Sequence, residues 1–152
     1  NFENDNLVLD KAKKIDLIIC LEVFEHLSNK KCLELIDIFS QNSDLILFSA
    51  AIPNQGGTNH INEKKLSYWV DLFGEKGFNL VDNIRNKIWE DNQIKFWYRQ
   101  NIVLFSKHQI NKLENNNIID IVHPALLNIK NKPSLTIGIN HILKKLLYLI
   151  RG

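Results

Sequence analysis

The sequence has few cysteines, no long apolar run and little net charge, and each shortage excludes a class of protein. Its two cysteines, Cys20 and Cys32, are too few for the disulfide framework of a small secreted fold or for a cysteine-based metal site, so we expect free, buried thiols. No apolar stretch reaches the roughly 18 residues that span a membrane, and residues 1–14 lack the pattern of a signal or transit peptide. We therefore expect a cytoplasmic protein without a transmembrane segment.

The near balance of charge gives no support for an anionic partner. The chain has 19 lysines and arginines against 17 aspartates and glutamates, a net charge of +2. We expect no nucleic-acid partner, because the positive charge is clustered only weakly, near the end of the chain. At 152 residues, 45% hydrophobic and 24% charged, the chain is long enough for one ordinary soluble domain with a real core.

Four apolar runs predict β-strands. Residues 16–20 and 44–50 are continuous apolar runs, as expected for strands covered on both faces. Residues 78–84 and 101–107 predict a third and a fourth strand. The aromatic, polar connection between them, residues 88–100, is predicted to be non-helical, which suits an antiparallel pair. With helical patterns between the earlier strands, the order predicts an α/β fold.

Two helices are predicted between these strands. The first begins at a cap, Ser28 or Asn29, and ends at Asn42-Ser43; the second ends at Gly77, which suits the left-handed conformation that stops a helix. Side chains at helical spacing form their buried faces: Leu33, Leu35, Ile36 and Phe39 in the first, and Leu66, Trp69, Val70 and Phe73 in the second.

The chain is predicted to divide near residue 107. Residues 1–107 carry the α/β pattern, and residues 108–152 are a polar, asparagine-rich tail that ends in an amphipathic helix over residues 139–150. Six buried aliphatic side chains would each contribute roughly 1.5–3 kcal/mol. We therefore expect that helix to pack on this domain or on a second copy.

Ionisable side chains follow the first two predicted strands at the points where they end. The stretch "LEVFEH" (21–26) follows the first strand and "AAIPNQGGTNHINE" (50–63) follows the second. Ligands bind outside the carboxyl ends of the strands in open α/β sheets, where loops carry the chemistry. We therefore expect one cleft lined by seven polar side chains: Glu22, Glu25, His26, Asn59, His60, Asn62 and Glu63.

Several of these residues also have a purely structural interpretation. Glu25 and His26 can occupy the first turn after a strand, with His26 simply solvated. The stretch "HINE" (60–63) can form an Asx-type turn, with Asn62 as a helix cap. The pair Gly56-Gly57 is more typical of a turn than of a phosphate cradle, because no helix follows it directly.

A metal-dependent hydrolase is a further alternative. Its ligands would come from Glu25, His26, His60 and Glu63, since His-x-x-Glu can present ligands. No third histidine lies nearby to complete a catalytic site of the usual kind, so we predict no metal.

Three stretches resemble class I S-adenosylmethionine-dependent methyltransferases. The stretch "IDLIICLEVFEHL" (15–27) resembles the family's fourth-strand signature, in which a D-L-hydrophobic strand runs into LEVxEHL. Residues 44–82 resemble strand five, the substrate-side loop, the next helix and strand six. The stretch "WYRQNIVLFSK" (97–107) resembles the final strand. The resemblance covers about residues 8–107.

The resemblance implies a fold, a cofactor and residue roles. The fold would be a partial Rossmann-like sheet with the family's strands 4-5-7-6, and the activity would be methyl transfer from S-adenosylmethionine to a small-molecule or glycan acceptor. Backbone groups of Cys20, Leu21 and Glu22 would lie near the methionyl end of the cofactor. His26 or His60 would serve as the base for an oxygen acceptor. The acceptor side would be formed by four polar side chains and one aromatic side chain: Glu25, Asn59, Asn62, Glu63 and Trp69. Packing in the core explains Trp69 equally well.

The sequence lacks two features of this family. The family's glycine-rich cofactor loop and the acidic partner of the ribose have no counterpart, although Asp5 loosely matches an aspartate near the adenine. The chain therefore looks like the carboxyl-terminal half of the domain, from a truncated or split gene product, and is expected to bind the cofactor weakly or not at all. Its first strand would have an unpaired edge that an N-terminal half, the tail or self-association covers. The alternative is a non-catalytic remnant or interaction module that binds a partner or membrane surface through its basic amphipathic tail.

Overall fold

The computed structural model describes residues 3–4, 7, 9, 14–109 and 119–130. Asp5 and the helix predicted over residues 139–150 lie outside the described residues. The described part is a mixed α/β fold, as the sequence predicts. Its elements are β1 (Ile18–Leu21), a 3₁₀ turn (Phe24–His26), α1 (Asn29–Asn42), β2 (Leu45–Ser49), α2 (Leu66–Glu75), β3 (Asn79–Val81), α3 (Arg85–Ile88), α4 (Phe96–Asn101), β4 (Val103–Ser106) and α5 (Pro124–Lys130).

The four strands form one mixed sheet in the order β1-β2-β4-β3. Strand β1 pairs with β2 in parallel, with Cys20 opposite Phe48. Strand β4 runs antiparallel to both β2 and β3, so β1, β2 and β3 all point the same way. The predicted pairing of the first two strands and the antiparallel last strand are therefore confirmed.

An aromatic cluster fills the core between the sheet and the helices. Phe48 of β2 packs edge to face against Phe24, Trp69 and Phe73, and Phe73 stacks on Phe105 of β4 with ring centroids 4.3 Å apart. These five side chains are essentially inaccessible to solvent. Aromatic pairs of this kind add stabilisation beyond the area that they bury.

The two cysteines lie in this core as free thiols, as predicted. Burial raises the pKa of both Cys20 and Cys32 to about 12. The thiolate is the reactive form, so neither thiol is activated for chemistry at neutral pH.

Two predictions about burial are wrong. Leu33 lies on the exposed side of α1, because Cys32, Leu35 and Ile36 already define the buried face. Strand β1 is not covered on both faces in the described structure: Cys20 is buried, but Ile19 on the other face is 62% exposed. Strand β1 also lies at one end of the described sheet, with a described neighbour on one side only.

The connection between β3 and β4 was predicted to be non-helical, and this is also wrong. It contains α3 and α4, and the stretch "WYRQN" belongs to α4, so β4 begins only at Val103. The third strand is likewise shorter than predicted, three residues from Asn79 to Val81. Among the described helices, none is long and apolar enough to cross a membrane.

Replacing Ser28 with alanine is expected to lower the free energy of unfolding by about 1 kcal/mol. Ser28 is the N-cap of α1, as predicted, and its Oγ accepts the N–H of Lys31 at 3.2 Å. Urea-induced unfolding measures the loss. Ser40→Ala is the control, because the Ser40 hydroxyl donates only to the Asp37 carbonyl one turn earlier in the same helix. Equal unfolding midpoints for the two variants would contradict the capping role.

Candidate functional site

The carboxyl ends of β1 and β2 meet at one edge of the sheet, and their loops enclose a cleft of about 380 Å³. Loop residues form one wall: Glu22, Glu25, His26, Gln55, Gly56, Gly57 and His60. Helices α4 and α5 form the other wall through Phe96, Trp97, Leu126 and Ile129. The cleft thus brings together four of the seven predicted polar side chains, Glu22, Glu25, His26 and His60.

Backbone hydrogen bonds hold the two loops against each other. The carbonyl of Glu25 accepts the N–H groups of Ile61 at 2.8 Å and of Asn62 at 3.0 Å. The Nδ1 of His26 lies 3.3 Å from the carbonyl oxygen of Asn59. Because a carbonyl only accepts, Nδ1 of His26 carries the proton in this contact. The loop geometry is therefore fixed before any ligand binds.

Glu25 is fully buried, although it lines the cleft. Neither of its carboxylate oxygens accepts a well-formed hydrogen bond from a residue that the structure describes. Burial raises its pKa to about 7, the nearby Glu22 carboxylate adds to the increase, and backbone amides together with His60 partly offset it. A buried carboxyl without a partner is costly when charged, and groups with such shifted pKa values are concentrated at functional sites.

His60 is oriented by a carboxylate. Its Nδ1 lies 2.9 Å from Oε1 of Glu63, and the rings of His26 and His60 meet edge to face at 4.8 Å. The Glu63 carboxylate also accepts the backbone N–H groups of Asn54 at 2.7 Å and Gly56 at 2.8 Å. Partial burial opposes ionisation of Glu63, but these hydrogen bonds outweigh it and lower its pKa. Glu63 thus supports the site from behind His60.

Glu22 has a strained backbone at the first residue after β1. Its φ is +52°, in the left-handed region that a glutamate rarely occupies. Its N–H donates to the carbonyl and hydroxyl of Ser49, and its carboxylate accepts Gln55 Nε2 at 3.3 Å and Asn101 Nδ2 at 3.2 Å. Such strain costs of order 1–3 kcal/mol and is concentrated at ligand-binding sites.

Sequence reasoning missed a buried network of amide side chains below the cleft. Asn101 Nδ2 donates to Gln55 Oε1 at 2.9 Å, and Gln100 Nε2 donates to Gln55 Oε1 at 3.1 Å and to Asn101 Oδ1 at 2.8 Å. Gln100 Oε1 accepts the N–H of His123 at 2.8 Å. The available signal was the pair of adjacent amides, Gln100 and Asn101, directly before an apolar run. It lies where the predicted connection meets the predicted fourth strand.

The structure does not bring the other predicted site residues to the cleft wall. Asn62 is buried beneath the loops, where its Nδ2 donates to the Phe24 carbonyl and approaches the Cys32 sulfur; it does not cap α2, whose N-cap is Lys65. Asn59 is exposed and contributes its backbone carbonyl.

The residues predicted to bind the cofactor are separated as well. Cys20 faces an apolar groove beside β1 that also contains Ile18, Val23 and Phe39. Leu21 pairs with Ser49 inside the sheet. Only Glu22 of the predicted cofactor-binding residues lines the cleft.

Trp69 lines a second cavity, of about 310 Å³, rather than the cleft. The cavity lies between the loop after β2, helix α4 and residues 119–122, and its lining is mainly apolar. Trp69 is 1% exposed, and its Nε1 finds no acceptor among the described residues. Gln100 and Asn101 line this cavity too, so the amide network separates it from the cleft.

Three side chains of the cleft are arranged so that they could hold a metal ion: Glu25, His26 and His60.

Comparisons of the chain with protein-family models, with curated proteins and with solved structures find no match.

Proposed function

We propose that the chain takes part in methyl transfer from S-adenosylmethionine to a small-molecule or glycan acceptor. The observation that supports this best is the strand order β1-β2-β4-β3 with β4 antiparallel, which corresponds to the order 4-5-7-6 that the resemblance implies. The residues of the "LEVFEHL" motif lie at the carboxyl end of β1, where open α/β sheets bind their ligands.

In this proposal the strained turn at Glu22 is the cofactor end of the site. A backbone held in the left-handed region turns the chain sharply out of β1, and the Glu22 carboxylate is held by Gln55 and Asn101. The cofactor would then present its sulfonium methyl to the cleft. Much of the rate would come from holding the methyl group and the attacking atom in line.

His26 and His60 are the proposed bases for an oxygen acceptor. Each has Nδ1 engaged, with the Asn59 carbonyl and the Glu63 carboxylate, which leaves Nε2 with a lone pair to take a proton. A general base in this position contributes typically about 10²–10⁴-fold to the rate.

The apolar cavity beside Trp69 is the proposed place for the body of the acceptor. Its lining is mainly apolar, and the buried indole N–H has no acceptor among the described residues. Such a cavity suits an apolar group that carries one hydrogen-bond acceptor. This assignment extends the predicted role of Trp69 from the cleft to the neighbouring cavity.

A non-catalytic interaction module is the second candidate, and the edge of β1 favours it. Ile19 is 62% exposed there, beside the apolar groove that contains Cys20 and Phe39. Among the described residues β1 has a partner strand on one side only, and an apolar, unpaired strand edge is a template for pairing with another chain. A protein that had lost cofactor binding could keep this surface for a partner.

Calorimetric titration with S-adenosylmethionine tests cofactor binding. We expect weaker than micromolar affinity for the 152-residue chain, because no G-x-G loop occurs in its sequence. We expect saturable binding once a half that carries such a loop is added as an N-terminal extension. Glu22→Ala should weaken the binding by the extended chain, whereas the exposed Glu90→Gln should not. Micromolar binding by the 152-residue chain would contradict the first expectation, and no binding by the extended chain would favour the interaction module.

A further inference from the structure

Two loops bring three electron-pair donors to one point in the cleft. The Glu25 carboxylate and the imidazoles of His26 and His60 each offer a ligand atom, and these atoms all lie within 4.8 Å of one another. Ligands of a tetrahedral ion bonded at about 2.0–2.2 Å lie about 3.4 Å apart. To share one ion, the most distant pair would therefore have to approach by at most about 1.4 Å.

The burial of Glu25 is an independent observation that calls for a cation. The side chain is 0% exposed and its two oxygens have no well-formed hydrogen bond among the described residues, although it borders an open cleft. Buried charges are normally paired or bound to metals. A bound cation would supply the partner that the described residues do not.

The tautomers of both histidines favour the same conclusion. Nδ1 of His26 faces the Asn59 carbonyl and Nδ1 of His60 faces the Glu63 carboxylate, and both partners accept only. Each Nδ1 therefore carries the proton and each Nε2 carries a lone pair. Metal-binding histidines commonly donate their other ring N–H to a carboxylate or carbonyl in this way.

Gly57 provides the space in which His60 sits. A Cβ at position 57 would lie 2.2 Å from Nε2 of His60, which is impossible without moving the ring. The absence of a side chain at position 57 therefore allows the His60 ring to occupy its place in the cleft.

We propose that Glu25, His26 and His60 bind one divalent transition-metal ion of the zinc type. Two imidazoles and one carboxylate form a known ligand set for zinc, so a third histidine is not required. Imidazole ligands disfavour Mg²⁺ and Ca²⁺, which prefer oxygen. The ion would keep an open position in the cleft for water or an acceptor oxygen, whose pKa it would lower. With an ion bound, the two imidazoles act as its ligands, and only in the metal-free chain are their Nε2 atoms available as the bases proposed above.

The test is independent of methyl transfer. The chain, stripped of metal with a chelator, is titrated calorimetrically with Zn²⁺, and Co²⁺ is added separately to follow its visible absorption. We expect one equivalent of either ion to bind and the Co²⁺ spectrum to indicate nitrogen ligands. Glu25→Gln, His60→Ala and Gly57→Ala should each weaken binding at least about tenfold, and Glu63→Gln, which keeps all three ligands, by about 10–100-fold.

His108→Ala is the matched control, since His108 is exposed at the far end of β4 and its loss should leave the affinity unchanged. Circular dichroism verifies that each variant is folded, and Glu63→Gln carries the test if a ligand variant is not. The proposal is overturned if no ion binds more tightly than millimolar, or if folded His60→Ala and Glu63→Gln variants bind as the original chain does.

Discussion

Replacing Asp82 with alanine is expected to lower the free energy of unfolding by about 3 kcal/mol. This is the lower end of the range for breaking a buried ion pair, because Asp82 itself is partly exposed. Arg85 is 2% exposed, and its guanidinium forms two hydrogen bonds to the Asp82 carboxylate. The same guanidinium donates to the carbonyls of Gln100 at 3.3 Å and Ile119 at 3.1 Å. Without Asp82, the positive charge of Arg85 stays buried, and its remaining partners here, the two carbonyls, carry no negative charge.

The matched control removes both charges. The double variant Asp82→Ala with Arg85→Met should lose clearly less stability than Asp82→Ala alone, because an apolar side chain needs no partner. Urea-induced unfolding measures all three chains. A loss below about 1 kcal/mol for Asp82→Ala, typical of exposed ion pairs, would mean that the pair is solvated.

Replacing Glu25 with glutamine is expected to stabilise the metal-free chain above pH 7. The pKa of Glu25 is about 7 in the folded chain, against an ordinary value of 4.5. The stability contribution of this carboxyl is therefore complete below about pH 4.5 and is lost as the pH rises to about 7, since the unfolded chain releases the proton first. A pKa difference of one corresponds to about 1.4 kcal/mol. The free energy of unfolding of the original chain should therefore fall by about 3 kcal/mol between pH 4.5 and pH 7.

Unfolding measured from pH 4 to pH 8 with a chelator present decides this prediction. The Glu25→Gln variant should lack the decline between pH 4.5 and 7, while the exposed Glu90→Gln control should retain it. Parallel pH curves for the original chain and the Glu25 variant would show that the carboxylate is solvated and would remove the reason for a bound cation.

The sheet and the position of the cleft follow from local features of the sequence. The first two strands are dense apolar runs, and their parallel pairing puts the loops that follow them at the same edge. Polar residues in the two loops are therefore brought to the same edge of the sheet. This is why Glu22, Glu25, His26 and His60 were predicted to lie together from the sequence alone.

Helix α4 shows what local features cannot predict. Phe96, Trp97 and Tyr98 have high β-propensity, which reflects packing more than any backbone preference. Here the tertiary contacts of the next two amides decide the structure: Gln100 and Asn101 are buried in hydrogen bonds to Gln55 and Glu22. Those partners lie 45 and 79 positions away in the sequence, so no local pattern reveals them.

Asn62 was misassigned for a related reason. An asparagine shortly before a helix has the pattern of an N-cap, but α2 begins only at Leu66. The Asn62 side chain instead donates to the Phe24 carbonyl, 38 positions earlier. Its contribution is to hold the loops of the cleft in place, which depends on contacts between distant segments.

Methyl transfer from labelled S-adenosylmethionine is the most direct measurement of the proposed activity. The chain, extended at its N-terminus with a half that carries a glycine-rich loop, is incubated with hydroxyl-bearing small molecules and glycans, and the label in the acceptor is counted. We expect label to be transferred to at least one acceptor class, and His60→Ala to reduce the rate about 10²-fold or more while His108→Ala leaves it unchanged. If no acceptor is labelled by an extended chain that binds the cofactor, the enzymatic account is wrong and the interaction module is the better description.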